Sequence, residues 1–195
     1  LVISGTNLFA STGYNVFLTT NNGANWTPVS SGLQNTIVQS LFINGGSLFA
    51  GTSSGVFRST NNGANWTPAN SGLTNTSVWC FAVIGTNLLA GSGVGVHRTT
   101  DSGTSWARAG PPNTDVWCLT FDGTNLFAGP ISWGGNDGDG VHLTTNNGTH
   151  WTYVGSGLPP YTGVSALVVS GSNCYAGTYG FTGARGVYRS TNNGS

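Results

Sequence analysis

Apolar residues in this chain come in short alternating runs, without the three-to-four spacing of an amphipathic helix. One stretch shows the pattern in full. "IVQSLFI" (Ile37–Ile43) reads as a first strand and ends at the turn Asn44-Gly45-Gly46. "SLFAG" (Ser47–Gly51) reads as a second, ended by Thr52–Gly55, and "VFRST" (Val56–Thr60) as a third. "NNGAN" turns the chain again before a fourth strand, "WTPAN" (Trp66–Asn70), and the polar link "SGLTNT" leads onward.

The same sequence of elements recurs. Ala10, Ala50, Ala90, Ala128 and Ala176 occupy one repeat position and fall 40, 40, 38 and 48 residues apart. A period near 40 built from four short strands predicts an all-β fold: a β-propeller of four-stranded antiparallel blades, labelled A to D within each blade. The units are approximately 1–36, 37–76, 77–114, 115–162 and 163–195, the last incomplete. Leu1 corresponds to Leu41 inside a first strand and Ser195 falls within a turn, so the expectation is a segment of a longer propeller. A five-bladed ring lacking one outer strand is the alternative.

Between third and fourth strands stands a repeated phrase: "TTNNGANWTP" from Thr19, "STNNGANWTP" from Ser59, "TTDSGTSWAR" from Thr99, "TTNNGTHWTY" from Thr144 and "STNNGS" from Ser190. It resembles the Asp-box, or BNR repeat, of sialidase-like and large secreted bacterial repeat proteins, with the pattern Ser/Thr-x-Asp-x-Gly-x-x-Trp. Asn21, Asn61, Asp101, Asn146 and Asn192 stand at its Asp position, Gly23, Gly63, Gly103, Gly148 and Gly194 at its Gly, and Trp26, Trp66, Trp106 and Trp151 at its Trp. A side-chain oxygen at the first position can accept turn N–H groups, Gly supplies positive φ, and the indole folds back as a lid. Asn for Asp keeps the acceptor and drops the charge. The resemblance implies that the box is structural and lies away from any active site.

Composition narrows the partners. The 195 residues include 5 basic residues, all Arg, and 5 acidic ones, all Asp, and no Lys, Glu or Met, for a formal net charge of zero. Charged residues are 5% of the chain against about 25% in ordinary soluble domains. Such a chain offers no electrostatic footprint for nucleic acid or anionic lipid, and no apolar run long enough for membrane insertion. Sequons at Asn25, Asn65, Asn75, Asn147 and Asn193 mostly fall inside the turn phrase and read as by-products of turn chemistry. Cys80, Cys118 and Cys174 align with small or apolar residues in other units and read as free, buried thiols.

Loop length breaks the symmetry between units. The B–C connection is about five residues in the first three units but grows to "GPISWGGNDGDG" in the fourth and "GTYGFTGARG" in the fifth. Long loops on a rigid scaffold are where function concentrates. With the neighbouring D–A links they offer Trp133, Asp137, Asp139, Tyr161, Tyr179, Phe181, Arg185 and Asp115 as ligand-binding candidates at the rim opposite the turn phrases. Aromatic rings beside carboxylates and an Arg suit sugar rings and their hydroxyls; the plainer reading of Trp133 and Phe181 is that they plug gaps between adjacent loops. No catalytic residue or metal ligand is assigned. "NDGDG" at Asn136–Gly140 offers oxygen ligands for Ca²⁺ but lacks the first Asp and distal Glu of an EF-hand loop.

A second candidate lies early in the first strands, where Gln39, Trp79, Trp117 and Ser165 align. The two Trp either pack a seam between blades or form a stacking platform. Arg58, Arg98 and Arg189 share a late third-strand position with Leu18 and Leu143, so they read as blade-edge residues rather than the three-Arg grip of sialidases.

Three function classes follow. The sialidase mechanism uses a Tyr nucleophile activated by Glu, which this chain lacks; the two-Asp chemistry of xyloglucanases would need Asp115 with Asp137 or Asp139. A non-catalytic binding or interaction module of a secreted or cell-surface bacterial protein fits better, with a glycan or protein partner at the rim opposite the turn phrases. The third class is a structural subunit of an extracellular assembly, with self-association or further chain as its partner.

Overall fold

A computed structural model of the chain describes residues 1–33, 35–74, 77–111, 114–131, 140–180 and 185–194. These residues form strands and turns, in five antiparallel sheets taken strictly in chain order. The first holds β1 (Val2–Ser4), β2 (Asn7–Thr12), β3 (Asn15–Thr19) and β4 (Thr27–Pro28). The second holds β5 (Val38–Asn44), β6 (Ser47–Thr52), β7 (Gly55–Ser59) and β8 (Thr67–Pro68). In the third are β9 (Val78–Ile84), β10 (Asn87–Ser92), β11 (Gly95–Thr99) and β12 (Ala107–Arg108). The fourth has β13 (Asp115–Phe121), β14 (Leu126–Ile131), β15 (His142–Thr144) and β16 (Thr152–Tyr153). The fifth is three-stranded: β17 (Thr162–Ser170), β18 (Asn173–Gly180) and β19 (Gly186–Ser190). Among the described residues no helix is long and apolar enough to cross a membrane.

Each first strand packs on the next one: β1 on β5, β5 on β9, β9 on β13 and β13 on β17. The core is therefore divided among seams. Period-two alternation gives every sheet two apolar faces. Phe9 and Val16 of the first sheet meet Leu41, Leu48, Ala50, Phe57 and Trp66 of the second. Phe49 and Val56 then meet Val78, Phe81, Leu88, Ala90 and Trp106, and Leu89 and Val96 meet Val116, Leu126 and Ala128. At the two ends the series is open: Leu1 and Ile3 are 73% and 68% exposed, Val168 and Val187 57% and 76%. This is β-propeller architecture, blade against blade.

The repeated phrase builds one turn five times. In the second sheet the Ser59 hydroxyl donates to Asn61 Oδ1 (2.9 Å) and accepts from the Gly63 N–H (2.9 Å), while Asn61 Oδ1 also accepts the Asn65 N–H (2.9 Å). Two successive residues there take positive φ, Asn62 at 56° and Gly63 at 82°, which explains the Asn-Gly pair. The indole then does more than cover its own turn. Trp66 Nε1 donates to the Val29 carbonyl, Trp106 Nε1 to Ala69 and Trp151 Nε1 to Ala109, at 2.8, 2.9 and 2.7 Å, so each tryptophan ties its sheet to the preceding one.

Two sequence expectations need correction. The first three B–C connections are two-residue turns, closed by the pairs Thr12↔Asn15, Thr52↔Gly55 and Ser92↔Gly95. Side chains hold the later two: Thr52 Oγ1 donates to the Gly55 carbonyl (2.8 Å) and Ser92 Oγ to that of Gly95 (2.9 Å). Fourth strands, expected over five residues, are two residues long. The Trp66 and Trp106 N–H groups donate to the Ser31 and Ser71 carbonyls of the preceding unit instead of to their own sheets, and Pro68 has no N–H to offer.

Candidate binding rim

Strand direction separates two rims. First strands start, second strands end and third strands start on one; the turn phrases, Asn21 to Trp26 and their counterparts, lie on the other. Four of the eight ligand candidates can be placed, all on the first rim. Trp133, Asp137, Asp139 and Phe181, with the Ca²⁺ reading of the Asn136–Asp139 segment, lie outside the described residues.

Asp115 opens β13, opposite Ile131 at the end of β14, and its burial raises the carboxyl pKa above the usual value. Tyr161 immediately precedes β17, half exposed and at φ 59°. Tyr179 sits near the end of β18 across from Gly163. Arg185 brings its guanidinium 5.2 Å from the centre of the Tyr179 ring and donates from Nε to the Gly180 carbonyl (3.3 Å). The ring thus has one face over a cation, and the pair forms a preset polar-aromatic edge.

The second sequence candidate, the aligned Gln39, Trp79, Trp117 and Ser165, also lies on this rim, placed there by a bulge that the sequence reading missed. Val38 and Leu41 enter the same seam although they are three residues apart, an offset an unbroken strand of period two cannot give. The register accommodates it with a bulge: Val38 pairs with Thr52 and Ser40 with Gly51, leaving Gln39 over. The same slip leaves over Trp79 in β9, Trp117 in β13 and Ser165 in β17. Because first strands lie side by side, these extra residues form a row. Trp79 and Trp117 stack within it, ring centroids 5.1 Å apart and planes 26° from parallel, both half-buried. Gln39 and Ser165 flank them, exposed. The signal was present as the spacing of Val78 from Phe81 and Val116 from Leu119, read as plain alternation.

Other chemistry-bearing residues have structural partners. Arg58 donates to Ser47 Oγ within its own sheet (3.0 and 3.2 Å), and Arg98 of the third sheet donates to the Asn147 carbonyl in the turn of the fourth (3.1 Å). His97 is fully buried between Thr74 and Ser92, and burial lowers its pKa. The thiols of Cys80 and Cys118 point across seams at the Val116 and Val164 carbonyls, at 3.7 and 3.5 Å. All three cysteines are free.

Comparison with known proteins agrees with this geometry at the level of fold. The chain is similar to an ancestral GH74 enzyme over 80% of its length, with 24% identity and a TM-score of 0.64, covering 23% of that chain. It is similar over 100% of its length to the extracellular domain of what is described as a hybrid two component system, BT4673 from B. thetaiotaomicron, with 14% identity, TM-score 0.77 and 26% of that chain covered. A chain of a mitotic checkpoint complex matches over 87% at 15% identity and TM-score 0.66, with 52% of that chain covered. The protein therefore spans about a quarter of the first two and about half of the third. No curated protein matches it in sequence. The sequence model of the DUF6242 beta propeller domain matches residues 5–195, and the chain belongs to that family.

Proposed function

We propose that the protein is a non-catalytic binding module of a secreted or cell-surface bacterial protein, and that it receives a glycan at the rim where the first strands begin. The Trp79–Trp117 stack carries this reading. Two half-buried indoles on the residues that neighbouring bulges leave over stack on each other, and an outer face of that stack is the kind of apolar surface against which a pyranose ring packs. Gln39, Asp115, Tyr161, Tyr179 and Arg185 share the rim and supply acceptors and donors for hydroxyls. The turn phrases, read as Asp-boxes, hold the blades together on the far side. An extracellular domain and a GH74 enzyme have this fold, which fits an extracellular carbohydrate setting. Sialidase-type hydrolysis is disfavoured because these 195 residues contain no Glu to activate a Tyr nucleophile.

Glycan-array binding followed by calorimetry tests the proposal. Trp117→Ala should abolish oligosaccharide binding while Trp106→Phe, on the far rim, leaves it unchanged. Binding that survives both Trp79→Ala and Trp117→Ala, or turnover of a fluorogenic glycoside, would sink it.

A further inference from the structure

The seam between the third and fourth sheets differs from its neighbours in the link from fourth to first strand. The other links carry Ser-Gly-Leu, and Leu33, Leu73 and Leu158 each pack into their own seam. The link after β12 reads Ala-Gly-Pro-Pro-Asn-Thr (109–114) and has no leucine. It is also shorter: Ala90 and Ala128 are 38 residues apart, where the two earlier intervals are 40. The indole of this seam is more open, with Trp151 half-buried where Trp66 and Trp106 are 3% and 4% exposed. Beside it lies a cleft of about 740 Å³, within the size range of small-molecule sites.

Positive charge is concentrated there. Arg98, Arg108, His142 and His150 border the cleft, two of the chain's five Arg and two of its three His, and no Asp is among the described residues that line it. Asp101, in the turn that follows Arg98, is engaged by Ser105 and Thr99. Arg98 donates through Nη1 to the Asn147 carbonyl and Arg108 through Nη2 to that of Val94, at 3.1 and 2.9 Å, so neutral oxygens help to steer both guanidinium groups. His142 Nδ1 is buried without a hydrogen-bond partner among the described residues, whereas the aligned His97 lies between Thr74 and Ser92. Tyr153 meets the His142 ring edge-on, centroids 5.6 Å apart, so aromatic surface from Tyr153 and Trp151 adjoins the cations.

We propose that this cleft binds a small carboxylate whose acid group is carried on a ring. A planar guanidinium matches a carboxylate in shape as well as charge, which sets the anion against Arg98 and Arg108. A bare anion would fill little of 740 Å³; a ring packed on Trp151 and Tyr153 uses the remaining space and their apolar surface. Arg98 ends its strand beside the turn phrases, and Gly148, Thr149 and His150 of the next phrase line the same cleft. The site is therefore separate from the rim where the first strands begin, and the inference does not depend on glycan binding there.

Titration of the intact chain with benzoate and with glucuronate, followed by NMR, tests the proposal, with benzyl alcohol and glucose as the uncharged counterparts. Saturable shifts of the Trp151 indole N–H and of the His142 and His150 ring C–H signals are expected with at least one of the acids. The acid that binds more tightly identifies the ring as aromatic or sugar. Arg98→Leu should fold, because Leu18 and Leu143 hold the same repeat position, and should weaken binding roughly tenfold. Arg98→Lys should restore part of the loss. Equal responses to the acids and to their uncharged counterparts, shifts centred on Trp79 and Trp117, or an affinity unchanged in both Arg98→Leu and Arg108→Gln would each overturn it.

Discussion

Trp106 Nε1 donates to the carbonyl of Ala69, 37 positions earlier and one sheet back, across 2.9 Å. Gly72 makes room beside it, since a Cβ there would collide with the Trp106 carbonyl. Side-chain and main-chain locks therefore converge on one seam.

Removing an indole should separate two contributions. Trp66→Ala should cost about 3–5 kcal/mol through the cavity it leaves. Trp66→Phe keeps much of the packing but leaves the Val29 carbonyl without its donor, at about 1–3 kcal/mol. Trp26→Ala should cost less than Trp66→Ala, because Trp26 is 39% exposed and Trp66 only 3%. Urea unfolding of the three variants measures the order.

Two glycines with positive φ make a second comparison. Gly85, at φ +60° with open space around it, should accept Ala at about 1–2 kcal/mol and Asn nearly without loss. Gly72, at φ +84°, adds the clash with Trp106, worth a further 1–3 kcal/mol or about that. Equal midpoints for Gly85→Ala and Gly72→Ala would contradict the seam geometry.

Asp101 is the one carboxylate at its turn position. Hydrogen bonds from the Ser105 hydroxyl (2.6 Å) and N–H (2.9 Å), and from Thr99 Oγ1 (2.7 Å), lower its pKa to about 2. A depressed carboxyl pKa means the unfolded chain binds the proton first. The stabilisation is complete above the ordinary value near 3.8 and disappears as the pH falls through 2. Carboxyl ¹³C titration should find the midpoint near 2, and Asp101→Asn should flatten stability between pH 4 and 2, roughly.

Thiols predict the opposite slope. Burial raises the pKa of Cys118 to about 12 and pushes those of Cys80 and Cys174 up as well. A raised pKa keeps the proton bound in the fold, so stability is complete below the ordinary value of 9.0 and declines as the pH rises toward 12. Native protein at pH 8 should resist iodoacetamide, and urea should expose all three thiols together, as far as one cooperative transition allows. Rapid alkylation of Cys118 in the native state would contradict its placement.

Blades and turn chemistry were legible because each repeats at a near-constant offset, so a weak local signal such as Asn62-Gly63 is read five times over. The reach of Trp66 into the neighbouring sheet was not legible. Nothing local distinguishes an indole lying on its own turn from one that also contacts a residue 37 positions away. The bulges at Gln39, Trp79, Trp117 and Ser165 were hidden for a different reason: the only trace is an odd spacing between two apolar residues, and alternation absorbs a single slip. Rim candidates such as Asp115 and Tyr179 could be named by loop length, but the stacking of Trp79 on Trp117 depends on how neighbouring blades are rotated.

Every indole link couples a sheet to its immediate predecessor and to nothing farther away. A polypeptide wired in this manner can gain or lose whole parcels of about 40 residues without rewriting the parcels on either side. Its size is then open to change by simple duplication, while the exposed rim of each new parcel remains at liberty to diversify.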